Sequence, residues 1–356
     1  MGVARRALLG GIAGATTLLA TGETAAAAPP TLDRDLAAVV AAGAVSALGE
    51  TRTGGVRQAA AGTVTLGGHR PVPAHGRFRA GSVIKPFVAV VVLQLADEGR
   101  LRLEDSVEKW VPGLVPGGRD ITVEHLLRHT SGLADYTAVV LPDTEAFLRN
   151  RFRTYTAREL VALGVGRPPT FPPGEGQAYS NTGYIVLGMI IERVARRSYA
   201  REIERRILRP LGLRDTFLPG SATRVPGPHA HVYVVAADGT PVDVTEMNPT
   251  MQGAAGELIS TTADLNTFMG ALVAGRLVDT TRMFDARGTG YGLGIEVADL
   301  PYGRVIGHGG GGPGFQGVTF SSTDGRRQVS TYASTGGKDV SGALYLLMDR
   351  ALAPKS

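Results

Sequence analysis

Phe78-Arg79-Ala80-Gly81-Ser82-Val83-Ile84-Lys85 is the stretch on which the reading of the fold turns. Phe78 to Ala80 reads as a strand that ends at a glycine, and Val83 to Glu98 as a continuously apolar helix, so eight residues hold a strand-to-helix junction. From Ala80 to Ala96 the only charged residue is Lys85. A lysine on a buried helix must be paired or partly neutral, because an isolated ammonium is costly to bury. Ser82 and Lys85 stand three apart at the start of that helix, on one face, with β-carbons roughly 5–6 Å apart. Desolvation lowers the lysine pKa and lets it take the serine proton, while the free amides of the helix start favour negative charge beside the serine. The same residues also fit an N-capping serine ahead of a snorkelling lysine.

A second Ser-x-x-Lys, Ser106-Val107-Glu108-Lys109, lies beside Glu104 and Asp105. That surrounding reads as a solvated face on which the lysine is a surface charge.

Working outward, Asp33 to Ala47 is helical in pattern, and Val56 to Leu66 reads as a strand. A helical, loop-rich stretch follows to about Ser221, broken by Pro112-Gly113, Pro168-Pro169 and Pro172-Pro173-Gly174. Val232 to Ala236 and Pro241 to Val244 flank Asp238-Gly239, a hairpin signal, and Thr262 to Ala274 returns to helix. Strand patterns recur at Tyr291 to Val297, Arg304 to Ile306, Val318 to Ser321 and Gln328 to Tyr332, and a last helix covers Ser341 to Leu352. The fold class is therefore α+β: one antiparallel sheet built from both chain ends, flanked by helices, with a mostly helical insertion at about residues 100–250.

The 356 residues are 43% apolar and 19% charged, the balance of a globular chain with a sizeable core, which excludes disorder, collagen and coiled coil. There is no cysteine, so disulfides, thiol catalysis and thiolate metal sites are excluded together and any nucleophile is an oxygen or an amine. The net charge of +5 comes almost entirely from arginine, since only Lys85, Lys109, Lys338 and Lys355 are lysines. That excess suits polyanionic surroundings such as a cell wall, but no basic run is interleaved with aromatics and no zinc-finger spacing exists, so nucleic acid is not an expected partner.

Arg5 and Arg6 open an apolar run from Ala7 to Ala20, and Ala25 to Ala28 end at Pro29-Pro30, the layout of an export signal over residues 1–28. The run falls short of the roughly 20 residues that a bilayer needs. Residues 29–356 are expected as a single extracytoplasmic domain, secreted or cell-wall associated, with no membrane span.

Two further segments carry chemistry. Tyr179-Ser180-Asn181 precedes an apolar helix and reads either as a helix cap or as a tyrosine able to ionise beside a lysine ammonium, with an asparagine able to orient a substrate amide. Gly307-His308-Gly309-Gly310-Gly311-Gly312-Pro313-Gly314 satisfies Gly-x-Gly-x-x-Gly, but a proline and a strand follow where a dinucleotide site needs a helix. A bare strand approached closely by a ligand, its amides forming an oxyanion hole, explains the glycines better. His125 and His129, four apart on an expected helix, lack a third metal ligand and read as core or loop residues, and His229 and His231 fit a strand entry.

Ser-x-x-Lys, Tyr-x-Asn and His-x-Gly in this order resemble the penicillin-recognising serine hydrolases, and most closely the class C β-lactamase-like group with its secreted D-Ala-D-Ala carboxypeptidases. The resemblance extends through His129-Thr130-Ser131-Gly132-Leu133, Tyr179 to Tyr184 and Tyr291-Gly292-Leu293-Gly294. It implies that Ser82 is acylated, that Lys85 and Tyr179 share the proton transfers, and that Asn181 binds the substrate amide. It also implies that His308 lends positive or hydrogen-bonding character to the third motif, Gly310 and Gly311 line the substrate, and the amides of Ser82 and Gly311 form the oxyanion hole. No metal or cofactor is implied. The implied substrates are small peptides or esters, cell-wall peptides foremost, with β-lactams as inhibitors. The first expectation is a D-alanyl-D-alanine carboxypeptidase; a secreted esterase, D-amidase or D-aminopeptidase is the alternative, and a silent wall-binding protein the third. Two departures bear on the choice: Gly309, Gly310 and Gly311 offer no hydroxyl, and Glu296 stands where a basic clamp for a terminal carboxylate is expected, with Arg304 or another arginine left to replace it.

Overall fold

In the computed structural model, which describes residues 31–354, both ends of the chain feed one sheet. The export signal expected at residues 1–28 lies outside the described residues. Strands β1 (Ser46–Thr53), β2 (Val56–Gly62), β3 (Glu296–Leu300), β4 (Gly303–Gly312), β5 (Phe315–Ser322) and β6 (Arg327–Ser334) are arranged as β2-β1-β6-β5-β4-β3, antiparallel throughout. The labelled helices are α1 (Leu32–Ala41), α2 (Ile84–Asp97), α3 (Asn181–Ala195), α4 (Thr262–Val273) and α5 (Ser341–Leu352).

The pattern read as one helix from Asp33 to Ala47 is corrected: α1 ends at Ala41, and Ser46 already belongs to β1. Ser-Ala-Leu-Gly-Glu-Thr-Arg-Thr has no β-branched run or alternation to announce a strand. Its extended state comes from pairing on both sides, Ala47 opposite Ala61 on β2 and opposite Ala333 on β6. The expected strand at Tyr291 to Val297 begins only at Glu296, whereas the glycine run is a bare strand as expected, continuous with Arg304 to Ile306 as the second half of β4.

One face of the sheet is covered by α1 and α5, which bury Leu36, Val39, Phe320, Val329, Leu344 and Leu347. On the other face lies α4, and Phe268 of α4 stacks on Phe87 of α2 with ring centroids 3.7 Å apart. Helix α2 is apolar nearly all round, as a helix enclosed by protein must be. Phe87, Val88, Val90, Val91, Val92 and Leu95 are fully buried, and at about 1.5–3 kcal/mol each they hold the helix firmly enough to carry a desolvated lysine in its first turn. The regular elements of residues 100–250 are helices apart from the expected hairpin of Tyr233–Val235 with Pro241–Asp243, and loops make up the larger part of this stretch. No helix among the described residues is long and apolar enough to cross a membrane.

Candidate active site

Ser82 sits in a single 3-10 turn, Gly81–Val83, that leads from the Phe78–Arg79 strand into α2. Gly81 has a φ of 56°, and a β-carbon there would come within 2.8 Å of the Gly311 backbone, so a side chain is excluded where the turn presses on β4. The Lys85 Nζ donates to Ser82 Oγ at 2.8 Å, to Asn181 Oδ1 at 2.9 Å and to the Ala255 carbonyl at 2.8 Å. Its partners are all neutral, and burial pushes the fully enclosed amine down to about 7 against the opposing pull of the Asp135 and Glu296 carboxylates. Near neutral pH a large share of Lys85 is an unprotonated amine within reach of the Ser82 hydroxyl proton.

Tyr179 lies against both groups, its ring centre 4.8 Å from Lys85 Nζ and its hydroxyl near Ser82. The expectation that a lysine ammonium eases its ionisation is corrected. Burial holds the Tyr179 hydroxyl well above its usual range; the contact with Ser82 pulls it down, and the charges of Glu296 and Asp135 push it further up. Tyr179 is thus a neutral phenol able to donate a proton, and Lys85 the group able to accept one.

Asn181 opens α3 and is fixed at both ends. Its Oδ1 accepts from Lys85 and its Nδ2 donates to Asp135 Oδ2 at 2.9 Å, which leaves one amide hydrogen for a ligand. Asp135 escaped the sequence reading. It is held by accepting the Thr137 amide at 3.0 Å, and its loop is stitched to α3 because Thr182 Oγ1 accepts from Tyr136 N and donates to the Ala134 carbonyl. His129 was also missed as a site residue. The helix Val123–Leu127 ends before it, its φ is 59°, and its Nδ1 accepts the Ser180 amide at 3.1 Å while its ring lies 4.2 Å from that of Tyr179. Burial holds this imidazole well below its usual pKa, so it is a neutral support for Tyr179. His125 instead accepts the Thr122 amide in a capping box, and no three acidic or histidine side chains among the described residues are grouped to hold a metal.

The third wall is β4. Gly310 is packed so closely that a β-carbon would lie 2.1 Å from the Ala80 carbonyl. Gly307 pairs with Glu296 on β3, and by the alternation of the ladder the amides of Gly307, Gly309 and Gly311 all turn toward that side. Because β3 begins at Glu296, the Gly309 amide is met by the Glu296 side chain, Oε1 at 2.9 Å, and the Gly311 amide faces no strand. Lying against Gly81, the Gly311 amide and that of Ser82 are the two donors placed for an oxyanion.

Of the two characters expected of His308, the structure favours hydrogen bonding over positive charge. Its side chain is fully buried, Nδ1 donates to the Gly309 carbonyl, and Nε2 accepts from the Tyr291 hydroxyl at 2.9 Å. Burial and the Lys85 charge push it down to about 3, so it supplies hydrogen bonds to its own neighbours and no positive charge to a ligand. Arg304 pairs with Asp299 at 2.7 Å at the far end of β4 and is remote from Gly311. Ser106 caps the helix Val107–Trp110, and Lys109 reaches Asp105 at 2.7 Å with its side chain 51% exposed. Cavities of about 710 and 500 Å³, lined respectively around Arg201 and Arg209 and around His229 and His231, do not include Ser82.

Comparison with known proteins identifies the fold and the family. The chain superposes on a D-stereospecific amidohydrolase from Streptomyces sp. with a TM-score of 0.83 and 35% identity, covering 91% of this chain and 98% of that one. A D-amino acid amidase from Ochrobactrum anthropi SV3, solved with L-phenylalanine amide, superposes with a TM-score of 0.78 and 26% identity over 90% and 95% of the two chains. Penicillin-binding protein 4* of Bacillus subtilis (strain 168) is 30% identical over 282 residues, 73% of this chain but 61% of its own length, so the chain spans about three fifths of that curated relative. The Beta-lactamase family profile matches residues 32–350, and the chain belongs to that family of serine hydrolases.

Proposed function

We propose that this serine hydrolase cleaves amides of small D-amino-acid derivatives through an acyl-enzyme on Ser82. The observation that carries the reading is the desolvated Lys85 amine at 2.8 Å from Ser82 Oγ, with the Gly311 amide beside the same serine. Lys85 takes the Ser82 proton as Oγ attacks the carbonyl carbon, and the oxyanion is met by the Ser82 and Gly311 amides. The neutral Tyr179 hydroxyl donates its proton to the departing nitrogen and is restored from Lys85, so the carbon–nitrogen bond breaks as the Ser82 ester remains. Water then attacks that ester by the same groups acting in reverse. Asn181, held by Asp135, has one free amide hydrogen to hold the substrate carbonyl on the acyl side. The choice of D-amides is supported by the likeness to the Streptomyces amidohydrolase along nearly its full length.

Ammonia release from D- and L-phenylalanine amide tests the reading. Turnover of the D-amide at least about tenfold faster is expected, and failure to release ammonia from either would overturn it. A second reading, a D-alanyl-D-alanine carboxypeptidase, is favoured by the likeness to penicillin-binding protein 4*. It requires release of D-alanine from a D-Ala-D-Ala peptide and a stable penicilloyl adduct on Ser82. In either reading the enzyme works outside the cytoplasm, which sequencing the N-terminus of protein recovered from culture medium or cell wall would test through loss of residues 1–28.

A further inference from the structure

Glu296 is a carboxyl group in the site that the acyl transfer does not use. Its Oε1 accepts the Gly309 amide at 2.9 Å and stands 3.4 Å from His308 Nδ1, which fixes it beside the third wall, and its side chain keeps 14% of its surface exposed. Its charge acts on both Lys85 and Tyr179, the two proton carriers. In the reading above Asn181 and Asp135 take the acyl side, and Glu296 stands on the other wall, at the β4 edge that also carries the Gly311 amide, where the leaving group is left to lie. In a peptide substrate the departing residue carries its carboxylate two bonds beyond the leaving nitrogen. Lys85 is the cation acting on Glu296, Asp135 adds a second negative charge at Lys85, and His308 is buried and neutral, so the charge that a departing carboxylate meets at this wall is that of Glu296.

We propose that Glu296 selects substrates by the charge of the leaving group, rejecting those whose departing part bears a carboxylate and admitting unsubstituted amides, capped amides and esters. The proposal rests on the acyl-transfer reading above and names its substrate class. Glu296 also fills the sheet edge where β3 stops short, but a glutamine there keeps an acceptor for the Gly309 amide and removes only the charge.

The test uses substrates matched except for that charge: D-Phe-D-Ala against D-Phe-D-Ala amide, scored by release of D-Phe, and the D-phenylalanyl esters of D-lactate and D-lactamide. At a pH of about 8.5, above the window in which Glu296 titrates, the neutral member of each pair is expected in the unaltered enzyme to have a kcat/KM at least about tenfold higher, and in Glu296→Gln the ratio is expected to fall to within about threefold of unity. Equal rates within the pairs, a preference for the carboxylate, or a Glu296→Gln enzyme that keeps the full ratio would overturn the proposal. Failure of the amide reading alone looks different: the amides stay intact while the ester pair still shows the discrimination. Should the variant not fold, the two ratios measured on the unaltered enzyme decide.

Discussion

The chain contains the same four-residue pattern twice, and the two copies could hardly differ more in surroundings. Ser82-Val83-Ile84-Lys85 starts a helix enclosed by protein, and its lysine is fully buried on neutral partners and pushed down to about 7. Ser106-Val107-Glu108-Lys109 starts a four-residue surface helix, with its serine spent on capping Lys109 N and its lysine in solvent on the Asp105 carboxylate. What separates a base from a surface cation is desolvation and the charge of the partners, not the spacing. The comparison also shows why the buried copy is stable: α2 is anchored by its other side chains, and each of the three hydrogen-bonding positions of the lysine nitrogen has a partner.

The sharpest way to break the comparison is to exchange the serines. Ser82→Ala should lower kcat/KM by about 10⁴-fold or more, whereas Ser106→Ala should leave it within about twofold; steady-state kinetics on one D-amide checks both. Tyr179→Phe should cost about 10²–10⁴-fold, with burst experiments showing the loss in acylation. The pH profile sharpens the role of Lys85. Because the neutral amine is the active form, kcat/KM should rise with pH through about 7, and Glu296, also raised by burial to about 7, titrates in the same window, so that limb belongs to the pair. Asp135→Asn removes a negative charge that holds the lysine up, so the limb should move to lower pH; a limb that stays in place or moves up would contradict the assignment. The smallest effect is expected at the exposed copy: Lys109→Ala should change unfolding free energy by at most about 0.5 kcal/mol in denaturant titration.

The residues legible in the sequence were those whose neighbours are local. Ser82 and Lys85 share one helix turn, Tyr179 and Asn181 flank one helix start, and Gly310 and Gly311 announce a bare strand. The sheet built from both chain ends was legible too, from the strand patterns, although β1 was hidden because its extended state depends on partners some 280 positions away in β6. Asp135 and His129 were illegible for a related reason. Each is identified by what it touches across 46 and 51 positions, Asn181 and the Ser180 amide, and neither contact leaves a periodic trace. The third partner of Lys85, the Ala255 carbonyl, is a backbone atom and has no signature at all. Which of its two expected characters His308 has was illegible, because its position in the motif says nothing of the Tyr291 hydroxyl that turns it inward.

The central claim is that the buried copy of the pattern, and not the exposed one, carries the covalent step. Acid-quenched mixtures of the full chain turning over a D-phenylalanyl ester, digested and mapped by mass spectrometry, test it most directly. A phenylalanyl mass increment on the peptide containing Ser82, absent from Ser82→Ala, is the predicted result. An increment on the peptide containing Ser106, or steady turnover by the Ser82→Ala enzyme, would contradict it.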